Sequence, residues 1–168
     1  GGTSVKEYLK SHYSNRKVFE IDGMDVDRSL NEFRAMSQQE RFSFHLVLGH
    51  GAHKLRELFL PQVNRLTILR DPVDRIVSHY FFARQSPGHY LHGEIVKRDM
   101  TLAQYATSDL SPELRNNYVR RFIGVRAEEA EKTPRETIAS VIDLLQTDYS
   151  VVGILEDLED GMRRLADV

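Results

Sequence analysis

Leu66-Thr67-Ile68-Leu69 runs directly into Arg70-Asp71-Pro72, and this junction constrains the chain more tightly than any other segment. Four consecutive apolar or β-branched residues predict a short covered strand. Asp71 carries the side chain of a helix N-cap, and Pro72, which has no N–H to lose, suits the first helical position. The strand therefore ends at Arg70 and a helix starts within two residues. Val73, Ile76, Val77, Tyr80 and Phe81 then recur at a period of about 3.6 residues, which predicts the buried face. Asp74, Arg75, Ser78 and His79 fall on the opposite, polar side. A guanidinium at the carboxyl end of a strand, with a hydroxyl on the following helix, can hold a phosphate through charge-assisted and neutral hydrogen bonds. Arg70 and Ser78 are that candidate pair. An ordinary strand-to-helix turn ending in a surface arginine fits the same residues.

A second anion site is suggested where the chain opens. Gly1-Gly2-Thr3-Ser4 precedes Val5, Tyr8, Leu9, His12 and Tyr13, which share a helical face at offsets of three and four. Glycines let backbone N–H groups approach an anion, and a helix N-terminus adds about half a unit of positive charge. Gly1, Gly2, Thr3 and Ser4 are thus candidate phosphate contacts, although two glycines ahead of a helix also match an expression remnant.

Composition sets broad bounds. The 168 residues, 40% of them hydrophobic, suffice for one core and are read as a single domain, 1–168. Twenty-three Lys and Arg against 25 Asp and Glu give a net charge of −2, which excludes the basic field of a nonspecific nucleic-acid binder. The chain has no cysteine, so neither a disulfide framework nor a zinc-thiolate site is available. No apolar run approaches the ~20 residues of a membrane span, and a soluble protein is expected.

Strand and helix signals alternate along the chain. Val18 to Ile21 reads as a strand, followed by a helix near Asp27 to Met36 with Leu30 and Phe33 inward. Phe44 to Leu48 reads as a strand ending at Gly49-His50-Gly51, before a helix carrying Leu55, Leu58 and Phe59. Gln85 to Gly93 is the best candidate for a mobile loop. Ser111-Pro112 caps a predicted helix through Phe122, and Thr133-Pro134-Arg135-Glu136 has the form of a capping box opening a helix to about Leu145. Tyr149 to Val152 and Gly153 lead to a last helix with Leu158, Met162 and Leu165 on one face. The expected class is α/β: a parallel sheet flanked by helices on both faces, with ligands at the carboxyl ends of strands.

His50 and Arg70 both sit at such ends and are expected to share a cleft. Histidine suits proton transfer near neutral pH, so His50 is the leading catalytic candidate and His53, one turn later, its substitute. His45, within the strand, is read as structural, and a metal site from His45, His50 and His53 does not match an established ligand set. A His50 that merely closes a turn remains an alternative. Asn116 and Arg120, four apart, are expected on one face of a helix where they could reach one ligand, or form part of a solvated basic face with Arg115 and Arg121.

Taken in order, these segments resemble the sulfotransferases that use 3′-phosphoadenosine 5′-phosphosulfate (PAPS), in particular the carbohydrate-type branch. The Leu66–Tyr80 string is similar to the family's 3′-phosphate segment, which implies that Arg70 and Ser78 grip that phosphate. Gly1-Gly2-Thr3-Ser4 resembles the end of the 5′-phosphosulfate loop, typically Pro-Lys-Thr-Gly-Gly-Thr-Ser. By that resemblance the family's lysine and leading strand would precede Gly1, and the numbered chain is expected to be a fragment lacking the first strand and a C-terminal segment. Gly49-His50 resembles the family's Gly-His segment, whose histidine is the proposed base in some members and a substrate contact in others, and His50 is assigned the base role. Asn116 to Gly124 resembles its Asn-three-residues-Arg helix, associated with the cofactor and acceptor region, and Asn116 and Arg120 are expected to contact the acceptor there; His53 is a further expected acceptor contact. Val152-Gly153-Ile154-Leu155-Glu156 is similar to a late strand-to-helix signature.

The resemblance implies a P-loop, nucleotide-kinase-like fold and transfer of a sulfuryl group from PAPS to a hydroxyl, most naturally on a carbohydrate, releasing 3′,5′-adenosine bisphosphate (PAP) with no metal required. Without the loop lysine, the resemblance alone does not imply that this chain is active by itself. A bacterial-type cytoplasmic enzyme is expected, the Golgi lumen being the alternative compartment. The rival classes are an ATP-dependent kinase, whose Gly-x-x-x-x-Gly-Lys loop is not visible as a whole, and a noncatalytic anion- or glycan-binding module on the same fold.

Overall fold

A computed structural model describes residues 2–124 and 131–166. They fall into two compact units, Gly1–Asn64 and Arg65–Val168, each with a two-stranded parallel ladder among its described residues.

In the first unit, helix α1 (Gly2–His12) leads to strand β1 (Val18–Glu20), helices α2 (Val26–Ala35) and α3 (Gln38–Phe42), strand β2 (Leu46–Leu48) and a 3-10 helix, Ala52–Leu58. Val18 pairs with Leu46 and Glu20 with Leu48. Asp25 caps α2 by accepting the Arg28 N–H, and the inward spacing buries Leu30 and Phe33 as expected. These two join Ile21 and Leu55 in a core ringed by Phe19, Phe44 and Phe59. Phe44, expected in β2, instead sits outside it, with its ring 5.5 Å from that of Phe19 and the Lys17 ammonium 4.3 Å above its face. The expected helix after Gly51 is a 3-10 helix, opened by Gly51 at φ +92°. Lys6 and Lys10 of α1 both pair with Glu20 at the end of β1, and their hydrogen bonds hold that carboxyl below its usual range.

The second unit contains β3 (Leu66–Leu69), α4 (Pro72–Gln85), α5 (His92–Lys97), α6 (Leu102–Ala106), a 3-10 turn at Pro112–Leu114, α7 (Asn117–Ile123), α8 (Pro134–Asp148), β4 (Val151–Ile154) and α9 (Leu158–Ala166). Leu66 pairs with Val151 and Leu69 with Ile154. Gly153 allows α9 to close onto β4, since a Cβ there would lie 2.6 Å from Ile68 Cδ1 and 3.4 Å from Gly161 Cα. Tyr80, Ala83, Leu91, Ile95, Met100, Tyr105 and Leu114 form the core.

Three expectations change in this unit. The buried face of α4 is rotated: Val73 and Phe81 are 68% and 50% exposed, whereas the Arg75 and His79 side chains are only 19% and 16% exposed. Partners from elsewhere in the unit draw these polar groups inward. The helix expected from Ser111 to Phe122 is split into the 3-10 turn and α7, because Asn116 adopts a left-handed conformation at φ +44°. At α8 Thr133 makes no capping bond to the backbone, and its hydroxyl lies 3.4 Å from that of Thr137. Among the described residues no helix is long and apolar enough to cross a membrane.

Candidate functional site

The carboxyl ends of β3 and β4 open into a cleft of about 500 Å³ lined by Leu69, Arg70, Pro72, Tyr118, Ile154 and Glu156, with Asp71 beside them. Arg70 is the residue after β3, and its side chain is 34% exposed. Its Nε is buried and has no hydrogen-bond partner, while the Glu156 carboxylate lies 3.8 Å away. Glu156 also accepts the Asp71 N–H at 3.2 Å. A buried guanidinium N–H without an acceptor costs free energy, and an anion in the cleft would remove that cost.

Asp71 caps α4 as the sequence predicts, accepting the N–H groups of Val73 at 2.8 Å and Asp74 at 3.1 Å. The Arg75 N–H donates to the Asp71 carbonyl, and Pro72 has no N–H. The first-turn amides are therefore consumed, leaving Arg70 as the group that can attract an anion here. Ser78 lies on the exposed side of α4, about 10 Å along the helix axis from Asp71 at the usual rise.

Arg70 is held from a second direction. The Tyr118 hydroxyl accepts the Arg70 N–H at 2.9 Å and donates to the Arg70 carbonyl at 2.7 Å. Neither Tyr118 nor Glu156 is picked out as a site residue by the sequence. The only local signal is the aromatic two residues after Asn116 and the acid three residues after Gly153.

Asn116 and Arg120 do not share a helical face. Asn116 is the N-cap of α7, outside the helix, and its carbonyl accepts the Arg120 N–H at 3.1 Å. The spacing of four assumes a helical backbone at both positions, and the left-handed turn at Asn116 breaks it. Arg120 is half-buried. Asn117, not Asn116, turns inward: it is 9% exposed, and its Nδ2 has no hydrogen-bond partner.

In the first unit His50 lies two residues past the end of β2 and is exposed, whereas His53 is half-buried within the 3-10 helix. His50 stands between Gly49 at φ +123° and Gly51 at φ +92°. Gly49 presses its backbone onto Ile21, the residue after β1, since a Cβ there would lie 2.8 Å from the Ile21 carbonyl oxygen. This fixes where the chain leaves the strand and presents His50. His45 is exposed beside Arg16, with 3.5 Å between Nε2 and the guanidinium. Gly2, Thr3 and Ser4 form the first turn of α1, so the helix starts within the glycine segment. Gly1 lies outside the described residues.

The second unit also holds a polar network that the sequence reading misses. The Tyr105 hydroxyl lies 2.6 Å from His79 Nδ1. Glu113 faces His79 Nε2 at 3.8 Å and Arg75 Nη1 at 3.9 Å, and the Glu113 carbonyl accepts a bond from Arg75 Nη2. The His89 ring meets His79 edge-on at 5.3 Å. Burial lowers the pKa of His79, partly offset by Glu113, and pushes the Tyr105 hydroxyl up to about 12. Burial thus favours a neutral His79 and a protonated Tyr105, which share one hydrogen bond, while His79 Nε2 faces Glu113. The recoverable signal is the i, i+4 pair Arg75 and His79; the partners come from α6 and the 3-10 turn.

Among the described residues, no group of three or more His, Asp or Glu side chains is arranged to hold a metal ion. Comparison with curated proteins and with solved structures gives no match. The sequence profile of the sulfotransferase family, however, matches residues 1–168, the whole length that carries the glycine opening, the Gly49-His50 turn and the Arg70 junction described above: the chain belongs to the sulfotransferase family.

Proposed function

We propose that the protein transfers a sulfuryl group from PAPS to a hydroxyl acceptor, with a carbohydrate as the leading acceptor class. The observation that carries this reading beyond family membership is Arg70, a strand-end guanidinium on a cleft of about 500 Å³ whose buried Nε makes no hydrogen bond and has only the Glu156 carboxylate 3.8 Å away. Arg70 and Ser78 are the proposed holders of the 3′-phosphate, and Gly1, Gly2, Thr3 and Ser4 those of the 5′-phosphosulfate at the start of α1. Bound PAPS would supply an activated sulfuryl group and leave as PAP. His50 is the proposed base that takes the acceptor's hydroxyl proton, as an exposed imidazole near neutral pH can. His53, Asn116 and Arg120 are the proposed acceptor contacts. The accompanying fold reading is one P-loop, nucleotide-kinase-like domain, supported by the parallel ladders and by helices that follow β3 and β4 directly.

Calorimetric titration with PAP in metal-free buffer tests the reading, with ADP as comparator and Arg70→Ala as control. PAP is expected to bind at least about tenfold more tightly than ADP, and Arg70→Ala to abolish that preference. A preference for ADP with magnesium would move the assignment to a kinase, and binding of an acidic glycan with neither nucleotide would move it to a noncatalytic module. For the base, His50→Ala in a protein that carries the whole 5′-phosphosulfate loop with its lysine is expected to lower turnover in a labelled-PAPS transfer assay by about 10²–10⁴ while PAP affinity stays unchanged.

A further inference from the structure

The Arg70 backbone stands at an unusual place in the ladder. The Leu69 carbonyl accepts the Leu155 N–H at 2.7 Å, so Leu69 faces β4. Successive residues of a strand direct their N–H and C=O groups to opposite edges, so Arg70 directs its own pair away from β4. Among the described residues no strand pairs with that edge of β3. The Tyr118 hydroxyl takes the place of one, accepting from the Arg70 N–H at 2.9 Å and donating to the Arg70 C=O at 2.7 Å. One phenol thus fixes both peptide groups that flank the Arg70 Cα, and with them the direction in which the side chain leaves the backbone.

The phenol is itself well held. Helix α7 is bounded by left-handed residues at both ends, Asn116 at φ +44° and Gly124 at φ +71°. Phe122, four residues after Tyr118, stacks on it at 6.4 Å between ring centroids and meets Tyr149 edge-on at 5.7 Å, just before β4. Beyond the backbone, Glu156 stands 3.8 Å from Arg70 Nε. The guanidinium therefore springs from a backbone that Tyr118 immobilises, with the Glu156 carboxylate beside its Nε.

We propose that Tyr118 is a positioning residue for Arg70, aiming its guanidinium at the 3′-phosphate of the nucleotide; this rests on the PAPS reading of the cleft. Tyr118→Phe keeps the ring, its stacking on Phe122 and the cleft wall, and removes only the two hydrogen bonds. Titration of the parent chain, Tyr118→Phe, Arg70→Ala and the double variant with PAP and with ADP, which lacks the 3′-phosphate, tests the role. The expected result is that Tyr118→Phe weakens PAP about tenfold, leaves ADP within about twofold, and has no further effect once Arg70 is alanine. Equal weakening of both nucleotides would reveal a merely structural contact, and unchanged PAP affinity would remove the role altogether; either overturns the proposal while the PAPS reading stands. An Arg70→Ala protein that binds PAP as the parent does would overturn the phosphate reading itself, and the positioning role with it. Amide hydrogen exchange gives a readout independent of nucleotide: exchange at Arg70 should rise in Tyr118→Phe, and an unchanged rate would show that the bond is not made in solution.

Discussion

His79 makes the stability of the second unit depend on pH, with a definite sign. Its pKa is lowered from 6.5 by burial among Tyr105, Glu113, His89 and Arg75, with Glu113 opposing that shift. The unfolded chain therefore takes up a proton before the folded one does. The stabilisation is complete above about pH 6.5 and is lost as pH falls from there through the lower, folded value. His89, also lowered by burial, adds to the same trend. The urea midpoint should fall between about pH 7.5 and 5.5, and the fall should be smaller in His79→Gln. Glu20 and Asp160, held below their ordinary values by lysine and arginine partners, act only at more acid pH. The residues of the candidate site differ in how far the sequence discloses them. Arg70 and Ser78 stand where the strand-helix junction puts them, because each location is set by neighbours within a turn. Tyr118 and Glu156 become site residues only through contacts with Arg70 and Asp71, 48 and 85 residues away along the chain.

At the scale of elements, local chemistry was read well wherever a single residue type dictates the backbone. Asp71 and Pro72 start α4 as predicted, and Asp71→Ala should cost about 1–2 kcal/mol, read as a lower urea midpoint. Asp71→Asn, which keeps an acceptor oxygen, should recover most of that loss. The α2 face is equally legible, since Leu30 and Phe33 recur on one side and both are buried. Three failures have a common physical origin. Phe44 leaves β2 for an aromatic cluster, Arg75 and His79 turn into the interior of the unit toward Glu113 and Tyr105, and Asn116 breaks the expected helix with a positive φ. In each, a tertiary partner or a backbone state outweighs a propensity worth only a fraction of a kcal/mol per residue. Periodicity identifies apolar residues but does not show which polar ones have a buried acceptor waiting.

For the whole molecule, the succession of strands and helices was legible, as was the parallel pairing, seen here as the β1–β2 and β3–β4 ladders. The collinear motifs that carried the family resemblance span the chain, as does the family profile. Binding should be felt by the fold as a unit. If PAP occupies the Arg70 cleft, a hundredfold excess over Kd adds about 2.7 kcal/mol to the folded state, so the thermal midpoint should rise by about 5–10 °C. ADP at the same concentration should raise it less, and an equal rise would show that the 3′-phosphate is not what the protein grips. The bond between Tyr118 and Arg70 also has a consequence for how this protein is made. The strand and helix around Arg70 need only their own neighbours in sequence, but the arginine is not fixed until a residue 48 positions later arrives and closes that loop. During synthesis the chain carries its cationic residue well before it carries the means of aiming it, so competence to bind is acquired late, when α7 docks.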